Sequence, residues 1–258
     1  MNNETVQTSL KTIVRASKIL DIIQKREGAR VSEVAAELDC PRSTAYRYLT
    51  TLNQLGYLVQ EGDEYRIGLS FLDRGIHARN QIDGFFIIKE SIDKLVRDTG
   101  ERVQFIWEEH GKGFHIYNNV GEHSVQTKTR VGKQIYLHSA AAGKAILAEL
   151  PEERVSEIIH EHGLPKQTEC TITDEDELFD ELSEVQNKGY ALSNQERIDG
   201  LRSVGVPVVC THDQLLGAVS ISGATNRLSN ERFRSELPDR LLGVTDEISL
   251  KLEYEGSD

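Results

Sequence analysis

CPRSTAYRYLTTLNQLGYLVQ, residues 40–60, contains neither Asp nor Glu, in a chain of 258 residues that carries 42 of them. An even spread would put about three acids in a window of this length, so an acid-free island bearing Arg42 and Arg47 points to an anionic partner. Double-stranded DNA is the partner this pattern suggests.

The flanking residues turn the composition into a motif. Ala16, Ile19, Leu20 and Ile23 recur at helical spacing in a segment ending near Gly28, and Val34, Ala35 and Leu38 predict a short second helix with Ser32 as its N-cap. Pro41 suits the first position of a third helix, where its missing N–H costs nothing. Along that helix Ala45, Tyr48 or Leu49, Leu52 and Leu55 form an inward stripe, while Ser43, Tyr46, Arg47 and Thr50 fall on the opposite face. Gly56 stops the helix, and Tyr57–Gln60 and Tyr65–Ile67 are short strands joined by the turn Glu61-Gly62-Asp63-Glu64. Three helices and a hairpin describe a winged helix-turn-helix, whose second motif helix enters the major groove while the wing lies near the backbone. Arg66 is the cation of the wing. The reading assigns DNA contact to Arg42, Ser43, Thr44, Tyr46, Arg47 and Arg66. A small helical core with an ordinary solvated face is the competing account of the same pattern.

The run Ile13–Gly68, with STAYRYLTTLNQLGYL and YRIG, resembles the DNA-binding domain of the IclR family of transcriptional regulators. IYLHSAAAGKAILAEL (Ile135–Leu150), NQERIDGLRSVGVPV (Asn194–Val208) and LLGAVSISG (Leu215–Gly223) resemble that family's effector-binding domain, in order and at its spacing. The resemblance implies a dimeric or tetrameric, ligand-responsive regulator of a catabolic pathway, repressor or activator, and no enzyme.

Residues 1–80 carry 11 Lys and Arg against 10 Asp and Glu, so the net charge of −12 arises in residues 81–258, whose balance is −13. Such an acidic surface, with a single Met and three Cys, suggests a halophilic source such as a haloarchaeon; an ordinary acidic bacterial surface is the alternative. Cys40, Cys170 and Cys210 are widely spaced and form no CxxC, which argues against a disulfide framework and a cysteine zinc site. No run approaches a membrane span and MNNETVQTSLKT has no signal-peptide core, so the expected location is cytoplasmic.

The expected division is residues 1–68 for the winged helix-turn-helix, 69–82 for a linker helix, and 83–258 for an effector-binding and oligomerisation domain. Leu69, Leu72 and Ile76 give the linker an apolar edge that packs either on the same helix of a second subunit or on its own domain. Beyond Asp83-Gly84 a helix spans Phe85–Thr99. Val103–Trp107 and Phe114–Val120 form a hairpin across His110-Gly111-Lys112-Gly113, and Val204–Cys210 and Leu215–Ser222 form another across Thr211-His212-Asp213-Gln214. Helices are expected over Ala140–Leu150, Glu152–His162 and Asp174–Lys188. Hairpins with helices read as an α+β antiparallel sheet, and the resemblance names it GAF-like.

His138–Lys144 reads as a strand running through small residues into a helix whose N-terminal amides favour an anion such as a carboxylate. Lys144 is expected to be a solvated surface charge, with assistance to that anion as the other reading. The resemblance carries the family's pocket onto the motif opening at Ile135, onto Ala141 and Ala142, and onto Ser193, Ser203, Ser220 and Ser222. Some members that bind small oxo-acids have an acid at the position of Ser193, a Cys at Ser203 and a Pro at Tyr136, so this pocket is expected to be less charged and bounded by Tyr136. A sugar acid, an aromatic acid or another catabolic intermediate fits that description. No cofactor, metal site or catalytic residue is assigned. GxSxG, P-loop, GxGxxG and HExxH patterns are absent, and His160 and His162 point apart on a helix. A DNA-bound scaffold whose acidic domain holds another protein, and an enzyme fused to a helix-turn-helix, are the rival classes.

Overall fold

The computed structural model describes residues 10–125, 129–210 and 214–255. The chain divides between Asn80 and Gln81 into two compact units.

In the first unit α1 (Lys11–Arg26), α2 (Val31–Glu37) and α3 (Arg42–Gln54) enclose a core of Ile19, Ile23, Val34, Ala45, Leu49 and Leu52. The wing strands β2 (Leu58–Glu61) and β3 (Glu64–Ile67) meet at a two-residue Gly62-Asp63 turn in which Gly62 takes a φ of 65°. β1 (Ala29–Arg30) adds a third strand on β3 that the sequence did not announce.

Three local expectations are corrected. Ser32 does not cap α2, because the helix already begins at Val31; instead the Glu33 carboxylate accepts from the Arg30 N–H at 2.8 Å. Pro41 precedes α3 as its extended cap rather than opening it. Leu55 is 61% exposed, since the helix ends at Gln54 and Gly56 turns the chain away before Leu55 can face inward. Finally α4 (Ser70–Asn80) is held to the wing side of this unit: Ser70 Oγ donates to Gly56 O at 2.7 Å and Phe71 packs on Tyr57 at 5.4 Å.

The second unit is an antiparallel six-stranded sheet in the order β6-β5-β4-β9-β8-β7. Its strands are β4 (Arg102–Glu109), β5 (Lys112–Val120), β6 (Gln134–Ile135), β7 (Ala191–Asn194), β8 (Leu201–Cys210) and β9 (Gln214–Ala224). The first hairpin turns tightly on His110 and Gly111, both at positive φ, and Cys210 pairs with Gln214 in the second. The expected turn residues Thr211, His212 and Asp213 lie outside the described residues.

Strand alternation sends Val103, Phe105, Val204, Val206, Val219 and Ile221 to one face, where α5 (Phe85–Thr99) and α9 (Leu237–Glu255) cover them. The other face carries α6 (Ala141–Ala148) at its centre, with α7 (Glu152–His162) and α8 (Glu175–Lys188) packed outside it, so every residue of α6 is buried. Two glycines permit that depth. A Cβ on Gly205 would stand 2.5 Å from Ala142 N and 2.6 Å from Ala141 O, and one on Gly143 would stand 2.5 Å from Leu137 Cα. No helix among the described residues is long and apolar enough to cross a membrane.

Candidate functional site

On α3, Arg42, Ser43, Tyr46 and Arg47 are exposed and Thr44 is half-buried, while Ala45 and Leu49 enter the core. The periodicity of 3.6 residues therefore divides the helix as read, and the outer face holds cations, hydroxyls and a phenol without a carboxylate. Neither Arg42 nor Arg47 has an ion-pair partner among the described residues. Arg66 differs. Its guanidinium lies 3.3 Å from Glu61 and 3.7 Å from Glu64, and Arg30 is similarly engaged with Asp63 at 3.1 Å. The wing is thus a charge-compensated surface, whereas the α3 face is a free cationic one.

In the second unit, Ile135, Ala141, Ala142, Ser193, Ser203, Ser220 and Ser222 all line one cavity, which is partly open to solvent. Register explains the convergence. Ser193 pairs with Ser203, Ser203 with Ser222, and Ser222 with Arg102, giving one row across β7, β8, β9 and β4; two residues along, Ser220 stands opposite Gln104. The start of α6 roofs these rows because Gly205 has no side chain to hold it off. Ser193 Oγ donates to Ser139 O at 3.2 Å and Gln104 Nε2 donates to Ser222 Oγ at 3.1 Å.

Several lining residues were missed by the sequence reading. Arg102 is 6% exposed and Gln104 5% exposed, and His115, 1% exposed, comes from β5. Arg197 and Ile198 reach the cavity from the loop between β7 and β8. Among the described residues, neither ring nitrogen of His115 nor Gln104 Oε1 has a hydrogen-bond partner. Burial, reinforced by the positive charges of Arg197, Lys133 and Arg102, depresses His115 to about 3, so the imidazole is neutral at physiological pH. Tyr136, expected at the cavity edge, instead lies under the Lys112 ammonium, 3.6 Å from its ring centre, and is not among the lining residues. The sequence reading did not foresee the two arginines in the cavity lining.

Lys144 is the largest correction. Far from being a solvated charge it is 1% exposed, and its ammonium lies 2.7 Å from Glu181 on α8 and 2.9 Å from Glu196. Burial pushes the Glu196 carboxyl up, while Lys144 and the Asn194 N–H act to hold it down. Glu196 immediately precedes Arg197 in the β7–β8 loop. That loop is further tied by the Thr168 hydroxyl to Gln195 O at 2.7 Å and by the Thr171 hydroxyl to Glu196 O at 2.6 Å. Gln195 holds a positive φ of 66° there, an uncommon conformation for a residue with a side chain. The ion pair and the two threonines fix the segment that carries Arg197 to the cavity.

Comparison with known proteins places both units. The IclR helix-turn-helix domain model matches residues 12–62, and the model for the C-terminal domain of the bacterial transcriptional regulator IclR matches residues 78–250. The chain is 33% identical over 248 residues to a probable HTH-type transcriptional regulator ArcR of Halobacterium salinarum, covering 95% of this chain and 94% of that one. It is 31% identical to the crystal structure of Thermotoga maritima IclR, with a TM-score of 0.76 and coverage of 95% and 99%. An IclR homologue from Microbacterium hydrocarbonoxydans, crystallised with 4-hydroxybenzoate, shares the fold at a TM-score of 0.76 and 18% identity, with coverage of 94% and 98%.

Proposed function

For a chain that belongs to the IclR family, and is therefore a transcriptional regulator with a DNA-binding helix-turn-helix domain and a C-terminal effector-binding domain, we propose that α3 reads an operator and that a small organic acid bound in the serine-lined cavity controls that reading. The observation that carries the effector assignment is the meeting of seven residues from four separate segments, residues 135, 141–142, 193–203 and 220–222, around one cavity. The relatives the chain resembles are transcriptional regulators.

On the DNA side, Arg47 contacts a phosphate or base edge, Arg42 a phosphate, and Ser43, Thr44 and Tyr46 lie nearest the bases. Arg66 contributes once DNA competes with Glu61 and Glu64 for it. The protein acts as a homodimer or homotetramer in the cytoplasm. Leu69, Leu72 and Ile76 support this: all three are exposed, Leu69 at 81%, leaving an apolar edge available to a second copy. In this division residues 1–68 bind DNA, 69–82 link, and 83–258 sense. Effector binding biases the placement of the two recognition helices by a coupling free energy of about 1–3 kcal/mol.

Arg47→Ala should weaken operator binding by roughly 1–3 kcal/mol in anisotropy titrations, with the circular dichroism spectrum and oligomeric state unchanged. Ser222→Leu should fill the cavity and abolish the effector response while leaving basal operator affinity intact. Wild-type operator affinity in a folded Arg47→Ala protein removes the α3 assignment; a normal effector response in Ser222→Leu moves the effector site elsewhere.

A further inference from the structure

Building on the reading that this cavity holds the effector, we propose that the effector is a dianion: a small acid with two negatively charged groups, one seated at Arg102 and the other at Arg197. The argument rests on charge compensation. Arg102 is almost wholly buried, and among the described residues its one hydrogen bond is from Nη2 to Val125 O at 3.1 Å. Arg197 is half-buried and makes no hydrogen bond or ion pair with any described residue. No carboxylate lines the cavity among the described residues.

Elsewhere in this unit, deeply buried charges are met by opposite ones. Lys144 has Glu181 and Glu196, and the fully buried Glu101 has Arg227 at 3.1 Å and Arg232 at 3.0 Å. Removing a charge from water is costly unless it is paired, and two arginines left uncompensated around one cavity are therefore a standing cost that a ligand of matching charge removes. Arginine presents a planar fork suited to carboxylate and phosphate oxygens, so each guanidinium takes one anionic group. Glu196, next to Arg197 in sequence, is not its partner in the fold: its carboxylate lies against the Lys144 ammonium, and Glu196 and Arg197 form no ion pair.

Besides the two arginines the cavity offers neutral polar groups. His115 has one ring N–H to donate and one nitrogen to accept, and Gln104 Oε1 is an unused buried acceptor. These suit a hydroxyl, oxo or amide group in the middle of the ligand, and Ser203 and Ser220 stand beside them. The burial and neighbouring positive charge that keep His115 neutral prevent it from supplying a third cation. Dicarboxylates of three to five carbons and phosphorylated two- or three-carbon acids share the required chemistry. The free oxo-acids and aromatic acids with a single carboxylate leave one arginine unmet.

The test uses the full-length protein, titrated calorimetrically and by thermal shift with malonate, succinate, 2-oxoglutarate and 2-phosphoglycolate. Butyrate, glyoxylate and benzoate are the monoanionic probes. The expected result is at least tenfold tighter binding of the best dianion than of any monoanion. Arg197→Gln should erase that preference, lowering dianion affinity at least tenfold and changing monoanion affinity less than threefold. It should also leave the melting temperature of the unliganded protein unchanged or higher, because it deletes an uncompensated charge; a residue serving only to hold the fold would lower it. Arg102→Gln provides the second variant with the same expected loss of discrimination. A monoanion that binds as tightly as the dianions, is blocked by Ser222→Leu, and is indifferent to Arg197→Gln would overturn the dianion while preserving the effector cavity. No binding by any acid would overturn both.

Discussion

Lys144→Met isolates the buried ion pair that anchors the cavity loop. Methionine keeps most of the volume of the lysine stem, so the packing of α6 changes little and the effect reports the lost charge. Lys144 is 1% exposed and Glu196 is 8% exposed, so solvent cannot replace the ammonium beside that carboxylate, whereas Glu181 has 29% of its side chain in water. Removing one partner of a buried pair costs about 3–5 kcal/mol. For a unit of this size each kcal/mol lowers the melting temperature by about 2–4 °C, so a fall of roughly 6–20 °C is expected.

The pH dependence follows from Glu196, whose carboxyl burial already raises and Lys144 opposes. Without Lys144 the folded-state value rises further above that of the unfolded chain. The folded variant then keeps a proton that the unfolded chain releases, so stability falls as pH rises from the ordinary carboxylate range through the raised folded value. The difference between wild type and variant should therefore be small near pH 5 and widest near pH 8. Urea denaturation followed at 222 nm, at fixed KCl, measures it. Glu196→Gln in the Lys144→Met background should recover most of the loss, since the remaining carboxylate reaches water. A loss below about 1 kcal/mol at pH 8, or one equal at both pH values, would refute the assignment of Lys144 as a buried counter-ion.

Gly205→Ala should destabilise the second unit by about 1–3 kcal/mol and weaken effector binding, because the added carbon meets the backbone of Ala141 and Ala142 rather than a movable side chain; unchanged urea midpoints and ligand response would show that α6 does not rest on β8. Operator affinity should fall only shallowly with salt, or rise. Arg66 must leave Glu61 and Glu64 to reach DNA, and those carboxylates take up cations when it does, so net counterion release comes mainly from Arg42 and Arg47 in two protomers, a log–log slope near −3.6 at about −0.9 per phosphate. Cation uptake by the acidic surface reduces it further. A slope steeper than about −5 from low to molar KCl, with the fold intact, would show net counterion release beyond what α3 supplies and would remove the case for a halophilic regulator.

The first unit was legible because its signals are local: an acid-free helix, a glycine stop and a hairpin all lie within 30 residues. Ser220 and Ser222 were legible as sharing a strand face by alternation, while Ser193 and Ser203 joined them only through the resemblance. Lys144 was not, because the partners that make its burial tolerable lie 37 and 52 residues away in sequence. The arginine and histidine of the cavity were hidden for a more instructive reason. In Arg102-Val-Gln-Phe-Ile106 the alternation of polar and apolar residues reads as a strand with one core face and one solvated face. Here the polar face is covered too, by α6 on one side and by the β7–β8 loop on the other, so what looks like a solvent-facing row is the floor of a cavity. The distinguishing signal is the register that sets Arg102 opposite Ser222 and Gln104 opposite Ser220, across more than 100 residues of chain. Once the strands are paired, the polar row is interior, and polar groups that are interior without partners within the fold call for a ligand to supply them.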